Sequence, residues 1–361
     1  MKKILGVIAI VGLAVIIMSA TPEKPQGKTL QMYGVAFYNL ENLFDTIHDE
    51  GKNDYEYLPD GANKWGTLKY TNKLKNMAQV LSKLGTEITQ KSGLTQVCKS
   101  PAIIGVSEIE NSNVLEDLLK EPVLKDKGWK YIHIEGPDQR GVDCGFLYDP
   151  TIFHLEHYHL TPFVYTSGDP DRRPTRGFLL ASGTIAGEKI HFIVNHWPSR
   201  AATSEYREMG GAQVRKMIDS IQAEDPKAKV VIMGDLNDDP KDKSVTKALG
   251  AKHVQADCGD HDMYNPWYDV LYKVGQGTLL YDGKWNLFDQ IIFTGNLLNK
   301  DGVKDYSELK FYKNEIYLRD FLMSQEGKNK GAPKRTHVSG VWQNGYSDHL
   351  PTQIFLVKEV K

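Results

Sequence analysis

The sequence predicts a single α/β domain with many strands, spanning residues 31–361, and three features carry that reading. Short runs rich in Val, Ile, Phe and Tyr recur along the chain, each bounded by Gly, Pro or Asp, as strands are. Between them lie longer stretches whose apolar residues repeat at helical spacing. No linker long enough to mark a second domain interrupts the alternation. With 40% hydrophobic and 25% charged residues, the composition is globular and excludes a disordered or low-complexity chain.

Lys2 and Lys3 precede an uncharged apolar run, Ile4 to Met18, followed by Ser19-Ala20-Thr21-Pro22. This order predicts a secretory signal peptide over residues 1–20 and a secreted or periplasmic protein. The run falls short of the roughly 20 residues a membrane span needs, and an uncleaved anchor is the alternative. No cysteine follows it, which argues against a lipid anchor. Residues 21–30 form a polar lead-in. Strands are then predicted over Met32–Tyr38, Ala102–Val106, Val142–Tyr148, Ile190–Asn195, Val230–Met233, Asp289–Phe293 and Gln353–Val357. Leu68–Leu84 reads as a helix because Leu74, Met77, Val80, Leu81 and Leu84 share one face. Glu205–Ile221 is the second, with Val214, Ile218 and Ile221 in line.

Lys+Arg 44 against Asp+Glu 46 leaves a formal charge of -2, so a protein-wide basic field that would grip duplex DNA is absent. A local basic rim is compatible with it, and Lys328, Lys330, Lys334 and Arg335 offer one. Three cysteines are too few for a disulfide scaffold and lack zinc-ligand spacing. Cys144 alternates into a strand and reads as a core residue, whereas Cys98 and Cys258 lie in loops and could pair. Asp45 to Asp60 reads as a solvated acidic loop, since it lacks the order of an EF-hand. His154, His157 and His159 lie in strand-like sequence at a spacing that gives no metal face. Arg172, Arg173 and Arg176 fit either phosphate contact or ordinary loop charge.

Chemistry is concentrated where strands end. Met32–Tyr38 runs into Asn39, Ala102–Val106 into Ser107-Glu108, Ile190–Val194 into Asn195-His196, and Val230–Met233 into Gly234-Asp235-Leu236-Asn237. Ser347-Asp348-His349 precedes the final strand. Each of these alone would be an ordinary cap or turn former. Strand ends in α/β sheets converge on one crevice, so together they predict an acidic pocket with two histidines, suited to metal-assisted phosphate chemistry.

Tyr38-Asn39-Leu40-Glu41-Asn42-Leu43-Phe44-Asp45, Gly105-Val106-Ser107-Glu108-Ile109-Glu110, Asn195-His196-Trp197-Pro198-Ser199, Gly234-Asp235-Leu236-Asn237-Asp238, Phe288-Asp289-Gln290-Ile291-Ile292 and Ser347-Asp348-His349-Leu350-Pro351 follow one another in this order. The set resembles the signature blocks of the endonuclease/exonuclease/phosphatase superfamily. That resemblance implies a DNase I-like four-layer sandwich, two mixed β-sheets packed together with helices on the outside.

The resemblance also implies roles. Glu108, Asn39 and Asp348 would hold a divalent metal, Mg²⁺, with Mn²⁺ or Ca²⁺ as alternatives; hard oxygen donors suit such ions. Glu110 competes with Glu108 on strand alternation, and Glu41 occupies a variable acidic position. Asp235 would orient and deprotonate the attacking water, and Asn237 would hydrogen-bond a phosphoryl oxygen. His349 would bind the scissile phosphate, oriented by Asp289. His196 would serve as general acid, with Asp143 expected as its orienting carboxylate from strand placement.

The expected protein is therefore an exported, metal-dependent phosphoesterase using an activated water. Neither a Gly-x-Ser-x-Gly elbow nor a P-loop is present to suggest a covalent or P-loop mechanism. Nucleic acid is the first substrate expected. A phospholipid or inositol phosphate is the alternative, with Trp267 and Tyr268 as candidates for an apolar rim. A monomer with no protein partner is expected. A non-catalytic binding module of the same fold is the further alternative, against which the complete set of site residues argues.

Overall fold

Strand β1 (Thr29–Leu43) is buried almost without break from Tyr33 onward, because it lies between another sheet on one face and a helix on the other. The structure, a computed structural model, describes residues 29–167, 172–300 and 302–360. The expected signal peptide and most of the lead-in lie outside the described residues. After β1 come α1 (Thr67–Leu81), β2 (Ile103–Ile109), α2 (Ser112–Leu119), β3 (Lys130–His133), β4 (Asp143–Tyr148), β5 (Phe153–Thr161), β6 (Phe178–Ile185) and β7 (Glu188–His196). They are followed by α3 (Ser204–Glu224), β8 (Lys229–Asp235), β9 (Ala251–Lys252), β10 (Met263–Tyr264), β11 (Asp289–Thr294), β12 (Lys310–Ile316) and β13 (Thr352–Val360).

These strands form a six-stranded sheet, β12-β13-β1-β2-β4-β3, and a seven-stranded sheet, β9-β10-β11-β8-β7-β6-β5. Each contains a central parallel pair, β1 with β2 and β7 with β8, flanked by antiparallel neighbours. An antiparallel neighbour begins where a parallel strand ends. The C-terminal ends of β1 and β2 therefore lie beside the starts of β4 and β13, and those of β7 and β8 beside the start of β11.

Alternation along the strands separates the layers. Val35 and Phe37 of β1, Ile103 of β2, Phe192 and Val194 of β7, Val231 and Met233 of β8 and Ile291 of β11 join the core between the sheets. The intervening Ile193, Val230, Ile232 and Ile292 join a second cluster with Val214 and Ile218 of α3. On the other outer face, Leu74, Met77, Val80 and Leu81 of α1 are buried as their spacing predicts. The sheets approach closely at Gly105, where a Cβ would stand 2.5 Å from Met233 Sδ. This is the four-layer sandwich that the resemblance implied.

Two loop expectations are corrected. Cys98, Cys144 and Cys258 are all free thiols: Cys98 donates to Gly85 O and Cys258 to Val254 O instead of pairing, while Cys144 is in the core. The acidic loop is only partly solvated, since Asp45 and Asp54 are buried. Asp54 accepts from Asp49 N at 2.8 Å and meets His48 Nδ1 at 2.5 Å, so the loop closes on its own carboxylate.

His191, on the outer face of β7, contacts Ser182 Oγ through Nδ1 at 2.7 Å. Burial, with Lys189 and His157 adding to it, pushes its pKa down to about 4. The unfolded chain then binds more protons between pH 4 and the ordinary histidine value of about 6.5, so stability should fall as pH drops through that window. His191→Asn is expected to flatten the decline in Tm from pH 7 to 4. Parallel Tm profiles for the two proteins would count against this account.

Candidate active site

Two β-bulges aim the central carboxylate. Pairing between β1 and β2 slips after Asn39, where Glu41 and Asn42 have φ of 47° and 55°. Pairing between β2 and β4 slips after Ser107, where Glu108 has φ of 59°. Asn237, just beyond β8, has φ of 50°. Non-glycine residues in this left-handed region cost about 1–3 kcal/mol each, and here they cluster at one end of the sandwich. The bulge breaks the strand alternation, so Glu108 and Glu110 do not share a face. Glu110 turns away to accept from Asp45 N at 2.7 Å, and burial pushes its pKa up to about 9. Glu108, and not Glu110, therefore faces the cleft.

The strand ends of the two sheets meet over Asn39. Its Nδ2 donates to Glu108 Oε1 at 3.2 Å and to Asp235 Oδ2 at 3.1 Å, joining the sheets. Its Oδ1 accepts from Glu41 N at 2.8 Å, which fixes the amide's orientation. Asn39, expected at the metal, thus holds the two carboxylates together through its amide. Asn42 N donates to Glu108 Oε2 at 3.0 Å. Glu41 is taken by Arg335 Nε at 3.1 Å and by Thr336 N at 2.6 Å, so it faces away from Glu108.

Asp235 is 2% exposed and lies between the two histidines, His196 Nε2 at 3.6 Å and His349 Nε2 at 3.7 Å from its Oδ2. Asn237 N donates to Asp235 Oδ1 at 2.9 Å, and Asn237 Nδ2 to Trp197 O at 3.0 Å. Burial raises the Asp235 pKa, opposed by the His349 charge and reinforced by Asp289. His349 Nδ1 meets Asp289 Oδ2 at 2.7 Å, the expected pair. Burial opposes charge on His349, yet the Asp289, Asp235 and Asp348 carboxylates hold its pKa well above the usual value. Asp348 lies at the cleft edge, one oxygen bound to Arg335 Nη2 at 2.9 Å. Behind this segment the buried Lys73 of α1 donates to Thr336 Oγ1 at 2.7 Å and Tyr346 O at 2.5 Å.

The expected partnership of Asp143 with His196 is not formed. Asp143 pairs across the ladder with Ile109, beside edge strand β3, and its carboxylate reaches His133 Nε2 at 3.1 Å and Gly136 N at 3.0 Å. His196 Nδ1 is buried with no hydrogen-bond partner among the described residues. Burial, then Arg176, Arg140 and His349, hold its pKa well below the usual value.

Glu108, His196 and Asp235 each offer one ligand atom, all within 4.8 Å of one another. Carboxylate oxygens that burial leaves short of positive charge suit a divalent cation, so the residues present fit one. Asp235, Asp289 and His349 form a second such group. These residues open into a cleft of about 620 Å³, whose other wall carries Arg140, Arg172, Arg173 and Arg176. Trp267 is fully buried and Tyr268 stacks on His253 at 4.0 Å, so neither forms the apolar rim considered from sequence.

Arg207 of α3 was not visible as a site residue in the sequence. It is buried, pairs with Asp238 at 2.7 Å and donates to Ser199 O and Ala202 O at 3.0 and 3.2 Å. It thereby ties the loop after His196 to the loop after Asp235. A charged residue on a helix otherwise reads as surface, and nothing in the sequence marks this one as different.

Residues 34–358 match the family described as Endonuclease/Exonuclease/phosphatase family. No curated protein matches the chain. Among solved structures, the fold is similar to an endonuclease/exonuclease/phosphatase family protein from Bacteroides thetaiotaomicron, with TM-score 0.53, 14% identity, and 92% of this chain and 98% of that chain covered. It is similar to D. rerio TDP2 complexed with single strand DNA product, with TM-score 0.52, 14% identity and coverage of 90% and 98%. A Bacteroides thetaiotaomicron mannosyl-6-phosphatase aligns with TM-score 0.51, 14% identity and coverage of 90% and 99%. At such identities the likeness is one of fold.

Proposed function

Because the chain belongs to the endonuclease/exonuclease/phosphatase family, whose members are metal-dependent phosphoester hydrolases, we propose that it hydrolyses nucleic-acid phosphodiester bonds by in-line attack of an activated water. The observation that carries this reading is one open cleft with a floor of carboxylates and imidazoles and a wall of arginines. Relatives in fold include one bound to a DNA product and one named for a phosphosugar, so the fold alone leaves the substrate open. This chain's cleft is polar and cationic at its mouth, which favours a polyanion over a lipid.

Glu108 would hold the cation, Mg²⁺, with Asp348 at the cleft edge, and Asn39 fixes the Glu108 carboxylate. Bound there, the ion would offset the charge that develops on the phosphoryl oxygens. Asp235 accepts the proton of the attacking water through Oδ2, while its Oδ1 is held by Asn237 N. Asn237 has one amide hydrogen on Trp197 O and a second for a phosphoryl oxygen. His349, kept as imidazolium by Asp289, binds the phosphate. His196, whose Nε2 lies 3.6 Å from Asp235 Oδ2 and whose Nδ1 meets no orienting carboxylate among the described residues, would serve the leaving oxygen as a hydrogen-bond donor through Nε2.

Incubating the purified protein with plasmid DNA tests this directly. Nicking is expected with Mg²⁺, and neither with excess EDTA nor in His349→Ala, for which a loss of about 100- to 10,000-fold fits removal of a phosphate-binding imidazolium. Full turnover in EDTA would sink the mechanism. Hydrolysis of phosphomonoesters or phospholipid with no DNA cleavage would sink the nuclease reading.

A further inference from the structure

The hydrolytic centre accounts for the floor of the cleft but leaves the wall between Asp138 and Arg176 without a role. Four arginines line this wall, against the single carboxylate of Asp138. Arg176 is the one that is neutralised: it is buried, donates to Asp138 Oδ2 at 3.2 Å and, through Nη2, to Trp197 O at 3.1 Å. Arg172 lies over the Tyr206 ring at 4.0 Å and near the Tyr165 ring at 5.4 Å. The segment is therefore anchored on both sides of Arg173. Arg173 itself is exposed to the cleft and makes no hydrogen bond or ion pair with any described residue. Arg140 faces the same space, its guanidinium half-exposed and only 3.4 Å from Asp138 Oδ1 through Nε.

A rigid segment that presents an unpaired guanidinium beside a second, weakly paired one is a built anion site. One scissile phosphate, already met by His349 and the metal-holding carboxylates, does not need it. Resting on the nuclease reading above, we propose that Arg140 and Arg173 form a subsite for a second phosphate of the substrate, adjacent to the one hydrolysed. The tyrosine-backed Arg172 and Tyr165 offer planar surfaces beside it, on which the base between the two phosphates stacks. The preferred substrate is then a nucleotide unit flanked by phosphate on both sides, and a lone internucleotide linkage is a poor one. This gives Arg173 the phosphate-contact reading of the two that the sequence left open.

The full-length protein assayed with Mg²⁺ on the thymidine dinucleotide d(TpT) and on its 5′- and 3′-phosphorylated forms decides the matter. One phosphorylated form is expected to show a KM about tenfold below that of d(TpT), the effect of one charge-assisted contact. Arg173→Gln and Arg140→Gln are expected to erase that ratio, while Lys216→Gln, exposed on α3 outside the cleft, keeps it. Both arginines are exposed enough for the variants to fold. Equal KM values for the three substrates, or a preference that survives both substitutions, overturns the subsite. If no dinucleotide is cleaved but inositol phosphates are, the nucleic-acid reading falls, and comparing inositol bisphosphate with monophosphate in Arg173→Gln tests the subsite separately. A bisphosphate preference unaffected by that substitution overturns it.

Discussion

Asp235→Asn is expected to lower kcat about a thousandfold while leaving KM within a few-fold and Tm unchanged or higher. Asparagine retains an oxygen for Asn237 N, so the loop after β8 keeps its shape, but it cannot take a proton from water, and its NH2 group costs the bond from Asn39 Nδ2, a loss that the relief of the buried charge offsets. Burial already disfavours the carboxylate here, with Asp289 adding to that effect, so the neutral isostere removes a charge that the folded state holds at a cost. Measuring kcat, KM and Tm on the same preparation separates the claims. A kcat within tenfold of the parent would remove Asp235 from its role as base. A large fall in Tm would show instead that the carboxylate stabilises the fold.

Arg207→Met is expected to destabilise the protein by about 2–4 kcal/mol, because Asp238 would remain buried with only Ser244 Oγ and the more distant Arg200 beside it. It should also lower kcat more than it raises KM, since the loops bearing His196 and Asp235 would lose their common tie. Combining it with Asp238→Asn should recover a substantial part of the stability, as the orphaned charge is then gone, but not the kcat. Urea denaturation and steady-state kinetics on the three variants check this. Arg207→Met with wild-type kcat, or a double variant no more stable than the single, would contradict it.

Arg207 also marks the limit of what the sequence reveals. Strands with uniform Val/Ile/Phe content, such as β2, β8 and β11, are legible because both faces are buried and little else tolerates that composition. Phe178–Ile185 passes unnoticed because Ala181, Ser182 and Gly183 dilute its centre, and Lys310–Ile316 because an edge strand can carry lysines. Ser112–Leu119 is too short for its period to stand out. Within the site, the residues that end strands were readable, since an apolar run halting at a carboxylate or imidazole is a local pattern. Their partners were not. Whether Asp143 faces His196 or His133 depends on pairing between β2, β4 and β3, and the nearest carboxylate in sequence logic was the wrong one in space. The bonds of Asn39 to Glu108, Asp235 and Glu41 N were hidden for a related reason, since they depend on how the two sheets meet.

The pairing of β1 with β13, Thr29 opposite Val360, sets a timetable for the nascent chain. Asn39 is translated early, but the strand bearing it stays unpaired on that side until residues near the C-terminus emerge from the ribosome. The His349 loop, whose Ser347 Oγ donates to Asn39 O at 2.7 Å, arrives only then. The first half of the chain can collapse locally, yet closing a loop of this length comes late and slowly. During synthesis the chain is thus a set of half-built sheets with no assembled phosphate site. The phosphate site is assembled only when β13 docks on β1 and brings Ser347 to Asn39.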